Sequence, residues 1–278
     1  AAGEVDYREL DIRRLQAALV EVGILSREVL TERESFPLDA AVVRRATAEG
    51  PIDLFNTAVI LGHREISLPL LLDILENSSD PLKREDAALL LGLCGRPEAA
   101  PALAEIVAAR RWDKGWNYTG MGQFGMSMSR LDALIIALGK TLSPLGIAPL
   151  LQRIEELDAG SEFSHCRAVS IAAAALNDRR LARALYDLLQ KPGLRGHAHL
   201  STAAVARQAN SRLDETEARN AALKELLLAR GLYLCGDHEG LGRSILETYA
   251  VDLRGHFARH AQAVLACRHV ALLRREVM

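Results

Sequence analysis

A short helical unit recurs along this chain, and it constrains the possible folds more than any other feature. Each copy has an apolar helix that ends near a glycine, followed by a second apolar helix that begins with Ala-Pro or Leu-Pro. The copies are clearest over 84–107 and 130–154, and a looser copy covers 58–75. One helix pair cannot bury its own apolar face, so successive pairs must stack on one another.

The composition favours a helical core. The chain has 278 residues, of which 49% are hydrophobic and only 4% are aromatic. Closely packed helices suit abundant Ala and Leu better than a sheet would, since sheets favour β-branched and aromatic residues. The four cysteines lie far apart with no CxxC pair, so we expect buried free thiols. The predicted fold is all-α, an α-solenoid of antiparallel helix pairs.

We expect one continuous solenoid with three parts. These are N-terminal helices over 1–50, regular repeats over 51–192 and less regular helical units over 193–278. Within them, apolar spacing and turn residues predict helices over 12–22, 38–48, 215–234 and 242–250, among others. Gly92 and Gly139 end two of the apolar helices, which predicts a left-handed backbone there, with Asn177 in the same role.

Charge and hydropathy argue against several functional classes. The net charge of −2 argues against a chain that coats nucleic acid, and its arginine pairs are scattered among acids. No apolar run reaches the ~18 residues that span a bilayer. The first eleven residues carry four acids and form no signal peptide, so we expect a soluble protein whose compartment stays open. Because no initiating Met is present, we also expect a processed product or an excised piece of something longer.

The repeat sequences themselves resemble a known family. Residues 84–92 read REDAALLLG and residues 100–103 read APAL. This pairing resembles HEAT repeats of the subtype first described in phycobilisome lyases, over roughly residues 52–190. The resemblance implies the fold but almost nothing about function, because such repeats serve as scaffolds in many settings.

A second, narrower resemblance covers most of the chain. It is carried by GWNYTGMGQFG at 115–125, EFSH at 162–165, DLRGHFARHA at 252–261 and RELDIRRLQ at 8–16. These segments are similar to the helical C-terminal region of certain bacterial FAD-dependent oxidoreductases. The resemblance implies a flavin domain of the same polypeptide as partner, with FAD held in that preceding domain. This chain has no GxGxxG after a strand and no βαβ pattern, so we expect no cofactor in the chain itself.

The insert at 112–128 is the least repeat-like segment and the first candidate for function. Aromatic, methionine and glycine residues are concentrated there, and such loops on rigid scaffolds often bind partners. The alternative is that the aromatic residues fold back and fill a gap between repeats. We expect a partner surface or pocket wall that includes Trp112, Trp116, Asn117, Tyr118, Met121, Gln123 and Phe124.

Polar residues at successive helix starts form the second candidate. Arg130 and Asp132 follow Ser129, His165 and Arg167 follow Ser164 at the matching start one repeat later, and His256 follows Gly255 at another start. Equivalent positions line up in a stacked array, so these side chains are predicted to form a ridge near the insert. Ordinary helix capping by serine is the alternative interpretation.

A third candidate lies near the C-terminus, where His256, Arg259 and His260 share one side of a predicted helix. The i, i+4 histidine spacing suits metal binding, but no Glu follows His256 as in HExxH, and no third ligand is evident. We therefore assign these residues to the partner surface and expect no metal site.

No catalytic motif occurs in the chain, which lacks both a GxSxG nucleophile elbow and a phosphate loop. The favoured function is a non-catalytic interaction module that binds protein, with no membrane or nucleic-acid partner. Two alternatives stay open. One is an independent lyase-like enzyme that uses the insert and the ridge, and the other is a DNA-binding HEAT-like protein.

Overall fold

The structure is a computed structural model, and it describes residues 40–51, 54–114, 128–208 and 217–276. Helices and connecting turns make up all of these residues, and no strand occurs among them, so the predicted all-α class is confirmed. The helix expected over 12–22 lies outside the described residues. Within the described ranges, no helix has both the length and the apolar character to cross a bilayer.

The chain divides into two compact units between Leu103 and Ala104. The first unit holds α1 (Ala40–Glu49), α2 (Leu54–Gly62), α3 (Arg64–Asn77), α4 (Pro81–Leu93) and the start of α5 (Ala100–Ala109). The second holds the rest of α5, α6 (Arg130–Lys140), α7 (Ile147–Glu155), α8 (Phe163–Leu176), α9 (Arg179–Leu189), α10 (Thr202–Gln208), α11 (Glu217–Leu234), α12 (Leu241–Tyr249) and α13 (Gly255–Glu276).

In the first unit, α1 packs on α2 and α3, and α3 packs on α4. The core is formed by aliphatic side chains such as Val43, Ile60, Leu71 and Leu90. Asp80 starts α4 by accepting a hydrogen bond from the backbone N–H of Leu82, and proline occupies the first helical turn, where its missing N–H costs nothing.

In the second unit, α6, α8 and α11 lie side by side and run parallel. Asp132 of α6 meets His165 of α8, 33 residues later, and Gly139 meets Ala172 at the same separation. Ser170 of α8 donates to the carbonyl of Leu227 in α11, 57 residues later, and this separation recurs where Cys235 contacts the carbonyl of Asp178. The constant separations place equivalent positions of successive helices next to each other.

The remaining helices of the second unit pack beside this layer. α7 contacts α8 and α9, and α9 contacts α11. α11 then contacts both α12 and α13, which also pack on each other. Each layer helix is thus followed in the chain by a helix that contacts the layer: α7 follows α6, α9 follows α8, and α12 follows α11.

The prediction of left-handed glycines was wrong for Gly92 and Gly139, because both lie inside their helices and are buried. The left-handed residues at these turns are Gly95 (φ 74°) and Leu142 (φ 56°). For Asn177 the prediction is confirmed, with φ 49° at the end of α8. Gly139 has a packing role instead, since a Cβ there would lie 2.7 Å from the Cβ of Ala172.

Two cysteines behave as expected. Cys166 and Cys235 are free and buried, whereas Cys94 is only partly buried. Burial raises the pKa of the Cys166 thiol to about 12. Since the thiolate is the reactive form, the protonated Cys166 thiol is unreactive at neutral pH, and the residue packs as a small apolar side chain of the core.

Candidate functional site

The start of α6 is built by reciprocal hydrogen bonds between Ser129 and Asp132. The Ser129 hydroxyl accepts from the backbone N–H of Asp132 at 3.0 Å, and Asp132 Oδ2 accepts from the backbone N–H of Ser129 at 3.0 Å. This capping box satisfies two N–H groups that a helix start leaves without partners. Ser129 therefore does cap α6, as the alternative interpretation predicted. The capping box occupies only one carboxylate oxygen of Asp132, Oδ2.

The second oxygen of Asp132 joins α6 to α8. Asp132 Oδ1 accepts a hydrogen bond from His165 Nδ1 at 2.8 Å, with Asp132 0% and His165 6% exposed. Among the described residues, only Asp132 hydrogen-bonds to this imidazole. A carboxylate that accepts from Nδ1 fixes the ring's orientation and tautomer. The predicted proximity of these helix starts is thus a direct contact.

Trp112, the first residue of the predicted insert, packs on this pair. Its indole stacks on the His165 imidazole, with ring centroids 4.2 Å apart and planes inclined by 29°. The Trp112 side chain is half-buried, and its indole N–H has no hydrogen-bond acceptor among the described residues. Buried indole N–H groups usually have an acceptor, so this donor is an exception within the cluster. We call Trp112, Asp132 and His165 the Trp-His-Asp cluster.

Asp113 attaches the same segment to the backbone of α6. Its carboxylate accepts from the N–H groups of Arg130 at 2.8 Å and Leu131 at 3.2 Å. Burial alone would raise the pKa of Asp113, but these backbone bonds and a bond with Ser129 lower it overall. Asp113 was not predicted from the sequence. It caps α6 from 17 positions before the helix begins, and local sequence patterns do not indicate a capping residue at that distance.

Arg153 of α7, which was also missed, supports the other side of the segment. It is 4% exposed, donates to the carbonyl of Arg110 at 2.9 Å, and pairs with Glu156 at 2.9 Å. An open hollow of about 400 Å³ lies here, between residues 108–112 and α7. Residues 110–114 are therefore held between the start of α6 and the side of α7, and Trp112 faces both the hollow and His165.

Arg167 lies beside the cluster but makes different interactions. The side chain is half-buried, and none of the described residues forms a hydrogen bond or ion pair with it. Burial and the positive charge of Arg230 lower its pKa, and the charge of Asp132 partly opposes that shift. Arg130, by contrast, has an interaction partner.

The predicted residues of α13 form a separate group. His256 and Arg259 are exposed, and His260 is half-buried with a buried Nε2 that has no partner among the described residues. Burial lowers the pKa of both histidines, and nearby arginines lower it further. The positive charge of Arg230 of α11 further lowers the pKa of both His260 and Arg167, so Arg230 is near both side chains. Within the described residues, no set of three His, Cys, Asp or Glu side chains is arranged to hold a metal ion.

Six residues of the predicted surface lie outside the described part of the chain. They are Trp116, Asn117, Tyr118, Met121, Gln123 and Phe124. Comparisons with models of protein families, with curated proteins and with solved structures found no match. The resemblances to HEAT repeats and to the helical region of FAD-dependent oxidoreductases therefore stay predictions.

Proposed function

We propose that this chain is a non-catalytic interaction module of HEAT-like repeats. Its partner surface is proposed to lie where residues 112–128 leave the helices, around the Trp-His-Asp cluster. We further propose that the module is the accessory helical region of a FAD-dependent oxidoreductase. On this proposal the partner is a flavin domain, FAD is held there and not in this chain, and neither nucleic acid nor membrane is bound.

The observation that carries the proposal is the attachment of residues 110–114. Asp113 bonds to the start of α6, Arg153 bonds to the carbonyl of Arg110, and Trp112 stacks on His165. Each contact is to a different helix, so the point where the insert leaves the helices is fixed by rigid elements. A binding loop on a rigid base loses less conformational entropy when a partner binds.

The chemistry of the cluster also favours binding over catalysis. Both oxygens of Asp132 already accept hydrogen bonds, and the neighbouring thiol of Cys166 is protonated at neutral pH. The described residues beside His165 thus offer no activated nucleophile. Trp112 and His165 instead present stacked aromatic rings, and aromatic residues are frequent at the energetic centres of protein interfaces.

The proposal is tested with the flavin-binding domain of the oxidoreductase, expressed separately and mixed with this chain. The chain alone should be colourless, and the mixture should give a complex that carries flavin absorbance on size exclusion. Trp116→Ala and Tyr118→Ala should abolish the complex without lowering the melting temperature. Tyr186→Phe is the matched control, since Tyr186 is far from the insert in sequence and its partly buried side chain bonds to Glu239. The proposal would be wrong if the purified chain alone carried stoichiometric flavin, or if the wild-type chain formed no complex with the flavin domain.

One observation favours the enzyme alternative. A buried carboxylate that bonds to Nδ1 of a histidine is the arrangement that orients an imidazole as a general base. An enzyme would show turnover by the purified chain alone that disappears in His165→Gln and persists in Arg243→Gln. Turnover that survives His165→Gln would exclude the pair as its active site.

A further inference from the structure

The position of Arg167 is set by contacts on both sides of it. Two residues earlier, His165 bonds to Asp132 of α6. One helical turn later, Ser170 donates to the carbonyl of Leu227 in α11. Residues three apart on a helix share a face, so Arg167 lies on the side of α8 that faces α11. The Arg167 side chain therefore lies on the α11 side of α8, whereas His165, two residues earlier, contacts α6.

This position leaves the Arg167 guanidinium without a bonded counter-charge. It is half-buried and has no hydrogen bond or ion pair with any described residue. Burial lowers the pKa of Arg167 and the negative charge of Asp132 partly opposes this, but both carboxylate oxygens of Asp132 already accept hydrogen bonds, from Ser129 and His165. A partly buried guanidinium normally directs its N–H groups to acceptors, because losing water without replacement is costly.

Other basic side chains lie on α11, which packs on α8, and on α13, which packs on α11. Arg230 of α11 directly precedes Gly231, whose backbone packs against Ser170 of α8. Beyond the effect of burial, the positive charge of Arg230 lowers the pKa of both Arg167 and His260 of α13. The Nε2 atom of His260 is buried and has no partner among the described residues. The helices α8, α11 and α13 thus each contribute a nitrogen-bearing side chain to one region, and the guanidinium of Arg167, unpaired within the described ranges, is the group there that an anion would stabilise.

We propose that Arg167 anchors a binding site for an oxyanion, the carboxylate or phosphate group of a small ligand, with Arg230 and His260 at its edge. The guanidinium offers parallel N–H donors that match two oxygens of either group. The site goes beyond the proposed partner surface and does not depend on a flavin domain, since a small anion can be tested on this chain alone.

The test titrates the chain separately with inorganic phosphate and with succinate, at constant ionic strength set by chloride. Calorimetry should show saturable binding of at least one anion, and that anion should raise the melting temperature. Stronger binding of phosphate assigns a phosphate ligand, and stronger binding of succinate a carboxylate. Arg167→Gln should weaken binding by roughly ten- to a hundredfold, and Arg167→Lys by less. Arg243→Gln, which removes an exposed arginine of α12, should bind like wild type.

A second readout separates this role from a structural one. Without phosphate or succinate, Arg167→Gln should melt at or above the wild-type temperature, because the change removes a like-charge contact. A structural arginine would show a lower melting temperature instead. The proposal is overturned if neither anion binds wild type beyond the chloride control. It is equally overturned if Arg167→Gln binds as wild type does, or if that variant is destabilised in anion-free buffer.

Discussion

Two buried polar networks in the second unit differ in how fully their groups are bonded. In one, Glu225 of α11 accepts from the backbone N–H groups of Gly196 and His197, both at 2.9 Å, and from the Tyr249 hydroxyl at 2.8 Å. Asp252 similarly accepts from the His199 N–H at 2.8 Å and pairs with Arg254 at 2.7 Å. Every carboxylate oxygen there has a partner, and the network fixes the loop before α10.

The Trp-His-Asp cluster is bonded less completely. Asp132 is fully used, but the Trp112 indole N–H has no acceptor among the described residues, and Arg167 beside the cluster has no bonded partner there. A network whose groups are all paired stabilises the fold, whereas one that leaves buried donors open has capacity for a ligand or partner. We therefore expect substitutions in the first network to change stability, and those around the cluster to change binding.

The largest effect should come from Glu225→Ala. This change leaves three donors without their acceptor, and we expect a loss of about 3 kcal/mol in the free energy of unfolding. Denaturant unfolding followed by circular dichroism measures it. Glu247→Ala, which removes an exposed side chain of α12 paired with Arg243, should change stability little. Equal losses in the two variants would show that the Glu225 network does not hold the loop.

Gly139→Ala should be next, because the added Cβ collides with Ala172 and pushes α6 away from α8. We expect a loss of roughly 1–3 kcal/mol, as for other overpacked cores. Adding Ala172→Gly removes the contact with the Ala172 Cβ but leaves the even closer approach to its Cα, so the double variant should regain only part of the loss and still lose less than the sum of the two single changes. Simple additivity would mean that the two residues are not in contact.

Asp132→Asn should cost about 1–2 kcal/mol, since the charged acceptor of His165 Nδ1 is lost while part of the cap is kept. The matched variant is Asp178→Asn at the start of α9, where the carboxylate caps its helix but is partly exposed. Partner binding per folded molecule should fall for Asp132→Asn and not for Asp178→Asn. A fall in both would point to a general loss of rigidity.

The smallest effect is a pH dependence that arises from Asp113. Its pKa is lower in the folded chain than in the unfolded chain, so its contribution is fully present above the unfolded pKa and is lost as pH falls through the folded pKa. Asp113→Asn should therefore flatten the acid side of a plot of stability against pH. Asp187→Asn, on the exposed face of α9, is the control. An unchanged acid slope in Asp113→Asn would mean that the carboxylate does not anchor its segment.

Much of the helical architecture follows from local sequence. The helices expected over 38–48, 215–234 and 242–250 occur within about two residues of their predicted limits. Apolar spacing and turn residues suffice there, since each signal acts within a few positions. Gly139 shows where local reasoning fails. Near a helix end, the sequence pattern of a glycine that forms the turn is the same as that of a glycine that lets a neighbouring helix pack closely. The role of Gly139 becomes clear only from its contact with Ala172 in α8.

The candidate site could be predicted only in part for the same reason. Repeat spacing indicated that Asp132 and His165 belong to equivalent helix starts, and they do meet. The stacking of Trp112 on His165 and the cap from Asp113 depend on where a long insert re-joins the helices. The insert has no repeating sequence pattern, so these contacts could not be predicted from the sequence.

The central claim is that the Trp-His-Asp cluster serves binding and the Glu225 network serves stability. The most direct measurement compares the affinity for the flavin domain, per folded molecule, of Trp112→Ala and Tyr249→Phe. The account predicts that Trp112→Ala binds at least about tenfold more weakly, as loss of an interface aromatic residue commonly does, while Tyr249→Phe binds like wild type despite a lower melting temperature. Unchanged affinity in Trp112→Ala, or an equal loss in both variants, would contradict it.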